Sequence, residues 1–371
     1  MAETTQTYAP GKHPDLPPPA LSRGPIKWMR ENLFSSISNT VLTLLGVYLL
    51  YLAIPPALNW FIFDAVIDAG SRNECWDKGD GACWAVVAVR FDQFVYGFYP
   101  EHLRWRVNLA FVLLFVAMAP ILFDKLPFRR PLLVFSFLYP ILAFFLLWGG
   151  LGMEEVESAK FGGFMLTVLI GVAGIGASLP IGIVLALGRR SDLLVLKFVC
   201  VCFIEFIRGV PLITLLFVAS TLLNYFLPPG TYFDLLLRVL IMVTLFSAAY
   251  IAEVVRGGLQ AIPKGQFEAA MAMGLSYWKM MGLIVLPQAL KISIPGIVNT
   301  FIGLYKDTTL VVIIGLLDPL GLSQAVLADS KWQGLSTEIY VFIAIFFFLS
   351  CFGMSRYSIY LENKLHTGHK R

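Results

Sequence analysis

The chain has 371 residues, of which 58% are apolar and only 14% are charged, and its mean hydropathy is +0.75. A soluble domain carries about 25% charged residues and could not cover this much apolar surface with polar groups, so the composition excludes an ordinary soluble protein and predicts a membrane protein. The net charge of +4 is too small and too dispersed to indicate nucleic-acid binding.

The first 25 residues are polar and rich in proline. No apolar run follows a basic start, so this segment does not resemble a cleaved signal peptide and is predicted to be a solvated, disordered tail. Apolar residues then recur at helical spacing from Trp28 to Ile37. They indicate either a short helix on the cytoplasmic surface of the membrane or an extension of the first span. We assign residues 1–36 to a cytoplasmic tail with an interfacial helix.

Eight apolar segments are long enough to cross a bilayer. A span needs about 20 apolar residues to cross roughly 30 Å of hydrocarbon, and it must be helical because lipid offers the backbone no hydrogen-bond partners. The sequence therefore predicts an all-α integral membrane protein with about eight transmembrane helices. The predicted spans lie near residues 38–63, 106–123, 131–149, 162–188, 193–227, 234–256, 292–317 and 336–357.

Lysine and arginine are concentrated in both tails and in alternate connections between the spans. The positive-inside rule therefore predicts that both termini face the cytoplasm. The acidic connection 150–160 is then an outer loop, and so is the long connection near residues 64–105.

The long outer loop contains Cys75 and Cys83. In an oxidising periplasm this spacing permits a small disulfide, and the alternative is two unpaired thiols. The three other cysteines lie in apolar segments and are interpreted as packing residues.

Two pairs of charged residues interrupt apolar segments. Glu205 and Arg208 stand three residues apart, and the same spacing separates Glu253 from Arg256. Residues at this spacing share a helix face, so each pair can neutralise itself. Charges inside a membrane are costly, which makes these residues candidates for a substrate path or gate. The alternative is that both pairs only anchor helix ends at the membrane surface.

Lys306 and Asp307 interrupt the apolar run 292–317 near its middle. They are expected to face the interior of a helix bundle or an aqueous cavity, where Asp307 or a neighbouring helix compensates Lys306. A role in lining a substrate path and a purely structural pairing both remain open.

A long cytoplasmic connection is predicted at residues 257–291. Its segment from Glu268 to Met273 favours a helix, and Gly274 is a natural C-terminal stop. A short helix displayed away from the membrane fits a groove on a partner protein, and the alternative is a structural helix that packs against the bundle.

This connection resembles the EAA loop of permease subunits of ATP-binding-cassette (ABC) importers, and the flanking residues narrow the resemblance to the polar amino acid (HisMQ-type) group. The loop residues that carry it are Glu268-Ala269-Ala270, Gly274 and Ile284-Val285-Leu286-Pro287. The flanking residues are Glu205-x-x-Arg208-Gly209-Val210-Pro211-Leu212, Glu253-x-x-Arg256-Gly257-Gly258, Pro263, Gly265-Gln266, Gln288, Pro295, Asn299 and Lys306-Asp307-Thr308-Thr309-Leu310. Val210 departs from the threonine that is commoner there. The extra N-terminal spans resemble those of the M-type subunit of general L-amino-acid permeases.

The resemblance implies a type I importer permease core of five helices at residues 161–360, preceded by three accessory transmembrane helices at 37–160 and followed by a cytoplasmic tail at 361–371. It also implies a bacterial inner-membrane location and three kinds of partner: a second, homologous permease subunit, ABC ATPase subunits and a periplasmic amino-acid-binding protein. An L-amino acid would be the substrate. The residues implied for ATPase coupling are Glu268, Ala269, Ala270, Gly274 and Leu275.

The chain contains no Gly-x-x-x-x-Gly-Lys-Ser/Thr segment, so ATP and magnesium are expected on the partner ATPase and no cofactor on this chain. We therefore predict a non-catalytic transport subunit. An intramembrane enzyme would need converging catalytic groups or metal ligands, yet no histidine falls inside a predicted span and no metal site is expected. The alternative function is an ATP-independent secondary transporter or channel for small polar solutes, which has no need of an ATPase-docking loop.

Overall fold

A computed structural model describes residues 24–123, 125–222, 225, 228 and 233–365. Over these residues the chain forms helices and no β-strand, which confirms the all-α prediction. Within this described part of the chain, seven helices are long and apolar enough to span a membrane, and a bent pair of helices adds an eighth if it counts as one span. The prediction of about eight spans is confirmed. Most of the predicted N-terminal tail, residues 1–23, and the end of the C-terminal tail, residues 366–371, lie outside the described residues.

The chain divides into two compact units. In the first, residues 1–66 with 78–82, α1 spans Gly24–Asn32 and α2 spans Ile37–Leu58, continuing as a π-helical turn. Ser36 separates the two helices, because its side chain accepts a hydrogen bond from the Asn39 N–H and so caps α2. The segment before the first span is therefore a helix of its own.

The second unit, residues 67–77 with 83–371, holds the other helices. They are α3 (Arg72–Lys78, whose last residue belongs to the first unit), α4 (Ala85–Tyr96), α5 (Arg104–Leu122), α6 (Arg129–Trp148), α7 (Gly163–Arg189), α8 (Leu194–Gly209), α9 (Leu212–Phe217), α10 (Leu235–Gln260), α11 (Lys264–Ala272), α12 (Tyr277–Met280), α13 (Leu286–Asp307), α14 (Pro319–Leu327) and α15 (Ser336–Leu365).

Glycines bring the central helices α7 and α10 close together. Gly174 faces Val243, and further along Gly182 packs so tightly that a Cβ there would lie 2.6 Å from Ile251 Cγ2. Because residue numbers rise together in these contacts, α7 and α10 run parallel, and α13 packs antiparallel to both. We call the first turns of α7 and their surroundings the Gly163 end of the bundle, and its last turns and their surroundings the Arg189 end.

The predicted span at 193–227 is bent by 104° between α8 and the segment Leu212–Leu222. The bend has a local cause. Pro211 cannot continue a helical hydrogen-bond ladder, and Val210 before it takes extended backbone angles (φ −107°, ψ 132°). The chain therefore changes direction immediately after Arg208, at the Arg189 end.

The predicted loop at 257–291 is shorter than expected. α10 continues to Gln260, and a helical segment Tyr277–Ile314 of 38 residues begins well before the predicted span at 292. A π-helical turn at Met281–Val285 precedes Pro287, which lies in the first turn of α13, where a proline needs no N–H donor. At the other end of the core, α15 runs to Leu365, so residues 361–365 of the predicted tail are helical.

Candidate functional site

Five charged side chains form a cluster at the Arg189 end. Arg189 ends α7, Glu205 and Arg208 lie in the last turns of α8, and Glu253 and Arg256 lie near the end of α10. Arg189 Nη1 lies 2.7 Å from Glu205 Oε1 and 3.1 Å from Glu253 Oε2. Arg208 Nη1 lies 3.4 Å from the same Glu253 oxygen. Arg256 Nε donates to Glu253 Oε1 at 2.6 Å. Glu253 is therefore the common partner of three arginines.

The charges of this cluster do not cancel, since three guanidinium groups face two carboxylates. The Glu253 side chain is only 18% exposed, so its attraction to the arginines is screened less by water than that of an exposed ion pair. A mostly buried carboxylate is tolerated when it is paired and hydrogen-bonded, as Glu253 is.

The structure corrects the predicted pairing of one of the two Glu-x-x-Arg pairs. Glu253 does pair with Arg256, but Glu205 pairs with Arg189 and Arg208 pairs with Glu253. The reason is tertiary, because the end of α7 brings Arg189 between α8 and α10. In the sequence, Arg189 is only one of the positive charges of an inner loop, and nothing there predicts that it pairs with Glu205 and Glu253.

Arg190, the next residue along, contacts the short helix α11. Its Nη1 donates to the Leu259 carbonyl at 3.2 Å, and its guanidinium carbon lies 5.6 Å from the centre of the Phe267 ring. That separation is within the range of a cation–π interaction. Arg189 therefore belongs to the charged cluster, and its neighbour Arg190 contacts α11.

The helix α11 is anchored on one side and exposed on the other. Ala270 is fully buried in an apolar cluster, with Phe267 and Leu275 packed partly buried against it. Glu268 and Ala269 are exposed. Of the five residues implied for ATPase coupling, the structure thus exposes three, including Gly274, and uses Ala270 and Leu275 to attach the helix to the bundle.

Gly274 turns the chain after α11. Its φ is +73°, a left-handed backbone angle that glycine adopts without the strain a side chain would add, and no atom would lie within 4 Å of a Cβ placed there. The Gly274 N–H bonds to the Met271 carbonyl at 2.9 Å, which closes the helix. This position therefore requires glycine for its backbone conformation and not for space.

A cavity of about 400 Å³ lies between α10 and α13, with a wall that is mostly apolar but includes several polar side chains. Its polar lining comes from Ser247, Tyr250, Asn299, Thr300 and Asp307. Over the described part of the chain, the buried hydroxyl of Ser247 has no hydrogen-bond partner. An unsatisfied buried hydroxyl is unfavourable, so the cavity has an unused polar group as well as a carboxylate.

Lys306 and Asp307 differ in their surroundings. Asp307 lines the cavity, whereas the Lys306 side chain is exposed and has no ion pair within 4.0 Å among the described residues. Both residues were expected to face an interior or a cavity, and of the two only Asp307 does so.

The charged cluster also reaches the cavity. The guanidinium of Arg208 lies over the ring of Tyr250, 5.7 Å from its centre, and Tyr250 is part of the cavity wall. Glu253 is three residues further along α10, on the same helix face.

At the Gly163 end, Cys75 and Cys83 are joined in a disulfide with their Cα atoms 5.8 Å apart. The Cys83 N–H donates to Glu338 of α15 at 3.3 Å. Arg72 donates to the Gln333 carbonyl at 2.6 Å. The disulfide-bonded segment is therefore attached to the connection between α14 and α15.

Two aspartates at this end have perturbed acidities. Burial raises the pKa of Asp318 to about 6, against a weaker opposing effect of the Gly321 N–H that it accepts. The hydrogen bond from the Lys331 N–H lowers the pKa of the partly exposed Asp329, and Arg90 lowers it further. No group of three or more His, Cys, Asp or Glu side chains within the described ranges is placed to hold a metal ion.

Residues 178–366, about half of the chain, match the family described as "Binding-protein-dependent transport system inner membrane component". The chain belongs to this family. It is therefore a multi-pass inner-membrane transport permease subunit, and the predicted resemblance to importer permeases is confirmed.

Two relatives are similar to the permease along almost its whole length. The "glutamate/glutamine/aspartate/asparagine transport system permease protein BztC" of Rhodobacter capsulatus is 49% identical and covers 95% of this chain and 96% of its own. The "inner membrane amino-acid ABC transporter permease protein YhdY" of Escherichia coli is 49% identical and covers 96% of this chain and 97% of its own. A solved "amino acid ABC transporter with histidines" is 27% identical over 54% of this chain and 91% of that chain, with a TM-score of 0.48.

Proposed function

We propose that the permease imports L-amino acids across the cytoplasmic membrane and is powered by a separate ATPase. The observation that carries this proposal is the exposed helix α11, which the structure attaches to the bundle by Ala270 and leaves open at Glu268 and Ala269. The relatives support the substrate class, since both are named as amino-acid permeases. ATP and magnesium bind to the ATPase and not to this chain.

The exposed face of α11 is the proposed ATPase dock. Glu268, Ala269 and Gly274 are joined there by two large exposed side chains, Met271 (58% exposed) and Met273 (68%). A short helix with small and flexible apolar residues fits into a groove on a partner. Rigid-body movement of this helix would then follow closure of the ATPase.

The cavity is the proposed substrate path. A zwitterionic amino acid needs an anion near its ammonium group and hydrogen-bond donors near its carboxylate. Asp307 supplies the anion, and the side chains of Ser247 and Asn299 supply donors. Lys306, Glu205, Arg208, Glu253 and Arg256 belong to the proposed path or its gate.

The proposed orientation places the Arg189 end and both termini in the cytoplasm, where the ATPase binds. The disulfide of Cys75 and Cys83 then lies in the oxidising periplasm. A second, homologous permease subunit completes the membrane part, and a periplasmic amino-acid-binding protein delivers the substrate to the Gly163 end.

The proposal is tested by purifying the tagged chain from its native membrane, identifying its co-purifying subunits, and reconstituting the complex in proteoliposomes with the binding protein. We expect an ATPase and a second permease to co-purify and labelled amino acids to accumulate only when ATP is inside the compartment that corresponds to the cytoplasm. Uptake driven by an ion gradient without ATP would contradict the proposal and favour a secondary transporter.

The substrate path has its own test, the Lys306→Ala/Asp307→Ala double variant. We expect lost uptake with normal assembly, because the cavity loses its anion. Normal transport by this variant would show that the two residues are only structural.

A further inference from the structure

Two adjacent arginines connect the ATPase-facing helix to the charged cluster. Arg190 contacts Phe267 of α11 and the Leu259 carbonyl. Arg189 contacts the carboxylates of Glu205 and Glu253. Because Arg189 is the last residue of α7 and Arg190 is its C-cap residue, a displacement of one is passed to the other through the main chain.

The contacts continue from Arg189 to the cavity. Glu253 Oε2 accepts a hydrogen bond from Arg189 and forms an ion pair with Arg208 at 3.4 Å. Arg208 in turn lies over the ring of Tyr250, which lines the cavity. Polar and cation–π contacts, joined through the main chain at Arg189 and Arg190, thus run from α11 to the cavity wall.

Arg189 bridges α8 and α10. Its Nη1 lies 2.7 Å from Glu205 Oε1 and 3.1 Å from Glu253 Oε2, and the two protons of this nitrogen can serve both carboxylates at once. Glu205 belongs to α8, just before the bend at Pro211, and Glu253 belongs to α10. A shift of the end of α7 would lengthen one or both of these contacts and so change how α8 is held against α10.

The hydrogen bond from Arg190 to the Leu259 carbonyl attaches the end of α7 to the end of α10. Leu259 lies in the last turn of α10, where carbonyl groups lack partners within the helix. Arg190 satisfies one of them and also faces the Phe267 ring, so it joins α10, α7 and α11 at one point. Neither α10 nor α11 can move far without changing the contacts that Arg190 makes.

We propose that Arg189 and Arg190 are positioning residues that transmit the movement of α11 to the charged cluster and the cavity. This inference rests on the proposed function, since it requires α11 to be driven by an ATPase. The Phe267–Arg190 contact receives the movement, and the bridge that Arg189 forms to Glu205 and Glu253 delivers it to α8 and Tyr250.

The test compares Arg190→Ala and Phe267→Leu, singly and together, in the reconstituted complex. Phe267→Leu keeps an apolar side chain but removes the aromatic face. For each single variant we expect the amino acid taken up per ATP hydrolysed to fall about fivefold or more, in the range of usual coupling energies. The double variant should be no worse than the more affected single variant, because both remove the same contact.

The controls separate transmission from folding. Arg130→Ala changes an exposed arginine at the start of α6 and should leave uptake per ATP unchanged. Arg190→Lys keeps a cation and a donor and should restore part of the coupling. Co-purification of the ATPase and the melting temperature should stay at their wild-type values in all variants.

Wild-type uptake per ATP in both single variants would overturn the inference, and so would a double variant whose loss is the product of the two single losses. Loss of ATPase co-purification in Arg190→Ala and Phe267→Leu would also overturn it, because the residues would then serve assembly. A wild-type complex without ATP-driven uptake would instead refute the proposed function, so the two failures are distinguishable.

Discussion

The two ends of the bundle hold their arginines in different ways. At the Gly163 end, Arg106 is 1% exposed, and among the described residues it donates to backbone carbonyls alone, those of Leu146 at 2.7 Å, Glu154 at 2.8 Å and Phe145 at 3.3 Å. At the Arg189 end, the Arg189 side chain is 22% exposed and contacts two carboxylates on different helices. Backbone carbonyls are fixed by the main chain, whereas carboxylates belong to side chains that can change rotamer. The Gly163 end is therefore suited to be a frame, and the Arg189 end to be the moving part.

Two glycines with left-handed backbone show the same contrast. Gly163 has φ +61°, and a Cβ there would overlap the Phe94 carbonyl oxygen. Gly274 has φ +73°, with no atom within 4 Å of such a Cβ. The first glycine is sealed between helices, while the second turns a chain that is open to a partner.

The largest expected effect separates the two ends by function. Glu253→Gln leaves three arginines without their common charge, so uptake should be lost while folded protein is still obtained. Arg106→Gln should instead lower the yield of folded protein, because it leaves buried carbonyls unpaired, at a cost of about 3 kcal/mol. Uptake assays and size-exclusion profiles of both variants measure this. Reversed outcomes would break the comparison.

The next effect concerns the frame alone. Gly163→Ala should reduce the stability of the folded state by about 3 kcal/mol, because backbone strain adds to overlap with Phe94. The thermal unfolding midpoint of the purified protein should fall accordingly. Gly176→Ala is the matched control in the same helix, since a Cβ at Gly176 meets no atom within 4 Å. Equal midpoints for the two variants would show that the Gly163 end is not tightly packed.

A pH effect of about 2–3 kcal/mol at most is expected at the frame from Asp318. Its pKa is raised from 3.8 to about 6 in the folded state, so the folded state binds a proton more tightly. This contribution to stability is fully present below pH 3.8 and is lost as the pH rises through about 6. The unfolding midpoint should thus be higher at pH 5 than at pH 7.5, compared with Asp318→Asn. An identical pH dependence in both proteins would contradict this.

The smallest change in stability is expected at the moving end. Gly274→Ala should cost about 1 kcal/mol, from backbone strain alone, yet lower uptake per ATP because it alters the turn after α11. Gly265 lies in α11 itself and has no unusual backbone angle, so Gly265→Ala should behave as the wild type. Uptake and ATP hydrolysis are measured together for both variants. Normal uptake per ATP in Gly274→Ala would show that the turn at Gly274 has no part in coupling.

The sequence predicted most of the fold but only part of the site. Apolar length located the spans, and the three-residue spacing predicted the Glu253–Arg256 pair because that pair is local to one helix. The pairing of Glu205 with Arg189 depends on how α7 packs against α8, and residue spacing along one helix cannot show this. Ser247 and Thr300 lie within apolar spans as ordinary small residues, so only the packing of α10 against α13 shows that they line a cavity.

Hydrogen–deuterium exchange of the assembled complex, with and without ATP, measures whether the Arg189 end moves while the Gly163 end stays fixed. We expect the exchange to change in peptides covering residues 186–209 and 250–276 and to stay constant in peptides covering 94–106 and 158–170. Changes confined to the second pair of segments, or spread equally over both, would contradict the division into a frame and a moving end.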